Sequence, residues 1–213
     1  MPAEPTAPAT ASAAAAAAGS EQGRLLLALA REAIAAVLYV PWQAVRVPAA
    51  ELAAPWLRAP GACFVTLTQD GRLRGCIGSV RARRPLADDV CANARAAALS
   101  DPRFPPLTAV ELPATRIEVS LLSAPTPLPA ASEEEALATL RPGIDGVILE
   151  LGGESHATFL PQVWDNLPSP RDFLAHLKHK AGLPVDFWSP DLRLQRYTVI
   201  KWSEPGPPAD LPT

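Results

Sequence analysis

Cys63-Phe64-Val65-Thr66-Leu67-Thr68-Gln69-Asp70-Gly71-Arg72-Leu73-Arg74-Gly75-Cys76-Ile77-Gly78 reads as a β-hairpin. The first arm, Cys63 to Thr68, has the β-branched and aromatic composition of a strand. Asp70-Gly71 is a strong two-residue turn signal, because a type I′ turn needs positive φ at its central positions. The return arm runs from Arg72 to about Ser79. A period of two puts Leu73, Gly75 and Ile77 on one face and Arg72, Arg74, Cys76 and Gly78 on the other.

Helical patterns flank the hairpin. Before it, Leu26, Leu29, Ala30, Ala33, Val37 and Leu38 fall near helical spacing, which predicts a helix over roughly 21 to 38 with Ser20 as N-cap and Pro41 as stop. The stretch from Pro41 to Pro60, with Trp42 and Trp56, shows weak periodicity and reads as irregular. After the hairpin, a helix is expected from Pro85 to about Leu99, burying Leu86, Val90, Ala94 and Ala97. Asp88 and Asp89 there complement the positive end of the helix dipole.

Farther on, Thr115 to Ser123 alternates as a strand and Glu133 to Leu140 reads as a short helix opened by Ser132. Val147 to Leu151 and Ser155 to Leu160 form a second hairpin about Gly152-Gly153. Ser169-Pro170-Arg171-Asp172 opens a helix that Gly182 and Pro184 stop. One last strand covers roughly Arg193 to Trp202. Hairpins mixed with helices, without regular βαβ units, predict an α+β fold with a largely antiparallel sheet and flanking helices. Residues 1 to 19 and 204 to 213 read as disordered tails around a domain at 20 to 203.

Composition narrows the classes of function. The 213 residues carry a formal net charge of −3, which argues against a whole-chain attraction to nucleic acid or anionic lipid. Arg72, Arg74, Arg81, Arg83 and Arg84 cluster, but Asp70, Asp88 and Asp89 flank them. The excess of Arg over Lys, with abundant Ala and 25 Pro, suggests a high-GC bacterial coding bias. Three cysteines without C-x-x-C spacing, and no basic-then-apolar leader, point to the reducing cytoplasm and away from disulfides. Arg24, Arg31 and Glu32 interrupt the apolar stretch from 24 to 40, so no membrane span is expected. Nucleotide-binding glycine loops, G-x-S-x-G and H-E-x-x-H are absent, which removes support for those chemistries.

Cys76 is the sharpest candidate for chemistry. Gly75 and Gly78 lie close by in sequence, and such glycines let backbone amides approach a ligand or thiolate. A guanidinium at Arg74 would stabilise the thiolate that a nucleophile needs. The competing reading is a small apolar residue packed in a sheet, with the glycines at a bulge or a crowded position. His156 is a candidate general base if the two hairpins are neighbours, and otherwise a surface histidine. Glu118 is a candidate acid or base if its strand face closes on a cleft, and otherwise exposed. Asp101-Pro102-Arg103 forms a rigid Asp–Arg loop or presents Arg103 to an anionic ligand. Cys63 and Cys91 read as structural. His176 and His179 share a solvent face of one helix, so no metal site is placed there, and no cofactor is implied.

Leu73-Arg74-Gly75-Cys76-Ile77-Gly78 resembles the signature hexapeptide of the AMMECR1 family. Ala98-Leu99-Ser100-Asp101-Pro102-Arg103-Phe104-Pro105-Pro106-Leu107, Val119 to Leu122, Gly143 to Val147, Ala157 to Val163, Lys180 to Leu183 and the Tyr197 region are similar in the same order. The resemblance spans about residues 22 to 203. It implies an α+β fold with a larger sheet-and-helix domain, a smaller lobe and a cleft near the hexapeptide. It supports Arg74, Gly75, Cys76 and Gly78 as site residues, with no settled reaction and no histidine fixed at 156. It also implies a shared pathway with Memo-like proteins and radical SAM proteins. Two functions follow as expectations: a cysteine-nucleophile hydrolase or transferase acting on a small anionic substrate, or a non-catalytic scaffold in that pathway.

Overall fold

The computed structural model describes residues 10–41, 47–153 and 155–205. In chain order the elements are α1 (Thr10–Val37), α2 (Ala49–Leu52), α3 (Pro55–Arg58), β1 (Pro60–Gly61), β2 (Cys63–Gln69), β3 (Arg72–Gly78), β4 (Arg84–Pro85), α4 (Leu86–Leu99), β5 (Arg116–Leu122), β6 (Thr126–Pro127), α5 (Glu133–Thr139), β7 (Gly146–Leu151), β8 (Ser155–Phe159), α6 (Pro170–Lys180), β9 (Arg193–Tyr197) and β10 (Val199–Ser203). Helices and antiparallel hairpins mix as the α+β reading requires. The chain divides into two compact units, one up to Ser120 and again from Lys201, the other Leu121–Ile200.

The first unit is built on the hairpin read from the sequence. Asp70 (φ 49°) and Gly71 (φ 72°) turn β2 into β3 as the Asp-Gly pair demands. The sheet order is β10-β5-β2-β3, so β3 is an outer strand. Val65 and Leu67 on β2, and Ile117 and Val119 on β5, are fully buried. Leu26, Ala30 and Ile34 of α1 and Val90 and Ala94 of α4 complete this core. Each fully buried Val, Leu or Ile contributes about 1.5–3 kcal/mol, so this shared core dominates the stability of the unit.

Three features of this unit depart from the sequence reading. The register of β2 against β3 runs Thr66↔Cys76 and Leu67↔Gly75, then shifts to Thr68↔Leu73. Arg74 is the extra residue of this bulge. The slip moves Leu73 to the face of Cys76 and Thr66, away from Gly75 and Ile77, where simple alternation had placed it. The helix α1 begins at Thr10, not near residue 21, and Ser20 lies inside it. Ala13 to Ala18 have the highest intrinsic helix propensity and continue the packed part without a break. Part of the Pro41–Pro60 segment is helical, as α2 and α3, while Trp42 lies outside the described residues.

Gly75 shows why α4 needs this strand. A Cβ there would lie 2.2 Å from the carbonyl oxygen of Ala97. The helix backbone therefore rests directly on the strand backbone. Gly78 is crowded in another way, because a Cβ would meet the Phe64 ring at 2.2 Å and the Cys63 carbonyl oxygen at 2.6 Å.

The C-terminal strand read as one piece is two. β9 pairs antiparallel with β7 and β6 in the second unit, whereas β10 lies beside β5 in the first. Glu204, assigned to a tail by the sequence reading, is held in place. Its carboxylate takes an ion pair from the buried Arg31 and the amide of Ile117 at 2.9 Å. Arg31 also donates to the carbonyls of Leu112 and Thr115. The remaining C-terminal tail, from residue 206, and the first nine residues lie outside the described residues.

The second unit holds the sheet β6-β9-β7-β8. Gly152 (φ 61°) and Gly153 (φ 81°) make its hairpin turn. Phe173, Leu174 and Leu177 of α6 are fully buried against Val147 and Leu149, and the Trp164 ring stacks on Phe173 with centroids 3.8 Å apart. Ser169 caps α6 and Ser132 caps α5, as read from the sequence. Among the described residues no helix is long and apolar enough to cross a membrane.

Gly75→Ala is expected to destabilise the protein by about 1–3 kcal/mol, because the new methyl overpacks against the backbone of α4. Urea unfolding followed by circular dichroism measures it. A loss below about 0.5 kcal/mol, the range of a neutral surface change, contradicts the close approach.

Candidate functional site

Cys76 sits near the end of β3, directly opposite Thr66 on β2. Its side chain is half-buried. The Thr66 hydroxyl lies 3.3 Å from the sulfur and donates to it. The peptide of Cys76 is fixed from the other side. Its N–H donates to the Asp101 carboxylate at 2.8 Å, and its carbonyl accepts from Arg103 Nη2 at 3.3 Å. Because β3 is an outer strand, these side chains stand where a neighbouring strand's carbonyl and amide would be.

The Asp101 side chain is only 2% exposed and carries a full set of donors. Besides the Cys76 amide it accepts from Arg103 N at 3.1 Å, Arg103 Nε at 2.9 Å and Arg103 Nη2 at 2.7 Å. The hydrogen bonds from Arg103 hold its carboxyl well below the usual carboxylate range. Burial opposes that shift, and the Cys76 amide adds to it. The Arg103 side chain is 54% exposed. Its guanidinium carbon lies 5.5 Å from the centre of the Phe104 ring. Bonding to Asp101 raises its pKa, and burial opposes that shift. A buried anion thus holds an exposed cation against the peptide carbonyl of a residue whose thiol is half-buried.

Arg74, the cation that sequence proximity assigned to Cys76, is directed elsewhere. Its Nε donates to Glu111 Oε1 at 3.0 Å and its Nη1 to the Pro105 carbonyl at 2.8 Å. Its Nη2 reaches Glu111 Oε2 at 3.3 Å and the Pro106 carbonyl at 3.4 Å. Its side chain is 11% exposed. The bulge turns Arg74 out of the strand's alternation and onto the loop that follows α4.

The AMMECR1 family model matches residues 27–202. The chain belongs to the AMMECR1 family. A protein of Methanothermobacter thermautotrophicus is 40% identical over 149 residues, covering 67% of this chain and 75% of the relative. One of Thermofilum pendens is 36% identical, covering 90% and 94%. The crystal structure of an uncharacterized protein from Pyrococcus horikoshii superposes with a TM-score of 0.74 at 32% identity, covering 88% of this chain and 95% of that one. These relatives are archaeal, which corrects the bacterial assignment drawn from composition. Arg, Ala and Pro content follows the GC content of a genome, and that does not track lineage.

The other candidate residues of this AMMECR1 domain are placed as follows. Glu118 is on β5, with β2 between it and the strand of Cys76. Two strand spacings amount to about 10 Å, beyond direct proton transfer. Its carboxylate accepts from the Ser203 hydroxyl at 3.0 Å, with Lys201 Nζ 3.9 Å away. His156 is exposed on β8 of the second unit, opposite Glu150. The described polar contacts of Cys76 all come from the first unit. His176 and His179 are exposed, and among the described residues no cluster of His, Cys, Asp or Glu could hold a metal ion.

Cys63 is fully buried, and burial pushes its thiol well above the ordinary range. Its amide donates to Asp89 at 3.0 Å. Asp89, read as a helix-dipole partner, is itself buried. It accepts from Ser79 at 2.6 Å, Arg84 Nε at 2.9 Å and Asn93 Nδ2 at 2.9 Å. That network ties the open end of the hairpin to the start of α4. Cys91 is half-buried, and burial raises its thiol. The sequence analysis did not single out Thr66. A regular register from the Asp-Gly turn sets Val65 opposite Cys76, and only the bulge at Arg74 brings Thr66 there.

Glu111 links the Arg74 contact to pH. The Arg74 hydrogen bonds, then those from the Thr108 amide and hydroxyl, lower its pKa from an ordinary 4.5 to about 2. A depressed carboxyl stabilises the fold above the unfolded value and loses that contribution as pH falls through the folded one. The wild type should therefore lose stability between about pH 4.5 and 2 more steeply than Glu111→Gln. Thermal melts across that window test this, and parallel curves for the two proteins contradict it.

Proposed function

We propose that this AMMECR1 domain acts through Cys76 as a thiol site for a small anionic substrate, with Arg103 as the cation that meets the anion. The observation that carries this reading is the half-buried Cys76 sulfur, held by the Thr66 hydroxyl, in a residue whose own carbonyl accepts from the exposed guanidinium of Arg103. The chemistry that suits it is hydrolysis or group transfer on an activated acyl group. The thiol gives up its proton to solvent, the sulfur bonds to the acyl carbon, and the bond to the leaving group breaks. That group departs with the electron pair and takes a proton from solvent. Water or a second acceptor then attacks the thioester and restores the thiol. Arg74 and Glu118 fit positions outside this site, since each has its own partners. His156, on the second unit, takes no role in this reading.

A second reading has its own support. Gly75 and Gly78 each have a steric reason to be glycine, and Arg74 an internal ion pair. In this reading the hexapeptide serves the fold, and the domain is a non-catalytic partner of Memo-like and radical SAM proteins. Association that survives Cys76→Ser supports it.

The thiol reading is tested with two alkylating reagents of equal size class, iodoacetate and iodoacetamide, reading the Cys76 peptide by mass spectrometry. The guanidinium should favour the anionic reagent. Arg103→Gln is expected to lower the iodoacetate-to-iodoacetamide rate ratio about fivefold, the worth of roughly 1 kcal/mol at a solvent-accessible charge. Arg74→Gln should leave the ratio within about twofold, because its guanidinium is directed to Glu111 and the carbonyls of Pro105 and Pro106 instead of to the Cys76 peptide. Equal effects of the two variants, or none, contradict the assignment of Arg103.

A further inference from the structure

We infer that Asp101 is the positioning residue of the Cys76 site: it holds the Arg103 guanidinium at the thiol while it fixes the peptide that carries the thiol. The inference rests on the reading of Cys76 and Arg103 as the site that meets the anion, and adds to it the residue that assembles it.

Three observations converge on Asp101. Its carboxylate is buried while the guanidinium it binds is more than half exposed, so the aspartate is the fixed member of the pair. It grips Arg103 through three donors, the backbone N and the side-chain Nε and Nη2. A guanidinium bound through two side-chain nitrogens to one carboxylate is fixed in plane as well as in place. The same carboxylate also takes the amide of Cys76. Thus one buried group sets both the cation and the thiol-bearing residue, and the Arg103 bond to the Cys76 carbonyl closes the ring.

Pro102 between Asp101 and Arg103 and the pair Pro105-Pro106 stiffen the loop. Arg74 on the same strand is paired with Glu111. Asp101 touches no ligand in this scheme. It acts through Arg103 and the Cys76 peptide, and so the consequence of losing it is loss of aim, not loss of a reacting group.

A double-mutant cycle on the full chain separates aim from charge. The readout is the iodoacetate-to-iodoacetamide rate ratio at Cys76, measured in wild type, Arg103→Gln, Asp101→Asn and the double variant. If Asp101 positions Arg103, removing the carboxylate releases the guanidinium, and the effect of Arg103→Gln shrinks from about fivefold to under twofold in the Asp101→Asn background. If the guanidinium stays in place without Asp101, losing its counter-charge makes the effect of Arg103→Gln equal or larger there, which overturns the inference. An Arg103→Gln effect that is absent from the wild-type background overturns the underlying reading of the site instead. Asp101→Glu keeps the charge and the acceptors, and should restore at least half of the wild-type ratio on a logarithmic scale. If Asp101→Asn does not fold, the same cycle is run with Asp101→Glu. An Arg103→Gln effect larger there than in wild type again counts against positioning.

Discussion

The carboxylate of Asp101 bonded to the amide of Cys76 is the contact around which the site is organised. An outer strand exposes a row of peptide groups that seek partners. In β3 the peptide of Cys76 finds them in side chains of the loop after α4, one accepting and one donating. Burying a carboxylate costs several kcal/mol unless charge and hydrogen bonds compensate. Arg103 supplies that compensation, and being half-exposed it also brings positive charge to the surface at the Cys76 carbonyl. The edge of the sheet, the buried acid and the exposed base are therefore one arrangement.

Steric constraint and chemical opportunity coincide in the hexapeptide. Gly75 allows the backbone of α4 to lie on the strand, and Gly78 accommodates the Phe64 ring. Arg74 leaves the strand at the bulge and fastens the Pro105-Pro106 loop, with Glu111 balancing its charge. Among the side chains of Arg74, Cys76, and the glycines' missing ones, only the sulfur of Cys76 is left with a single hydroxyl donor as its described polar contact. Membership of the AMMECR1 family rests on the match over 27–202 and on the relatives' similarity.

The local features of the fold were legible in the sequence and the long-range ones were not. Asp70-Gly71 announced its hairpin because positive φ at two adjacent positions is a local demand. The serines before α5 and α6 announced those helices for the same reason. The bulge at Arg74 carries no such mark, since it depends on how β2 and β3 meet α4 and the loop beyond it. The break between β9 and β10 was hidden because Arg193 to Trp202 has continuous strand composition, while the change of sheet is decided by partners far away. Glu204 was misread as tail because its partner, Arg31, lies at the opposite end of the chain. At the site, the pairing of Asp101 with Arg103 was readable from their spacing. That both would reach Cys76 was not, because α4 intervenes.

The most direct test of this arrangement is amide hydrogen exchange at Cys76. An outward-facing amide on an outer strand, left to solvent, exchanges through local openings of low free energy. Held by the buried Asp101 carboxylate, the Cys76 amide should instead be protected as strongly as the inward-facing amides of β3 that pair with β2. Exchange at the rate of an open strand edge would contradict the bond on which the site is built.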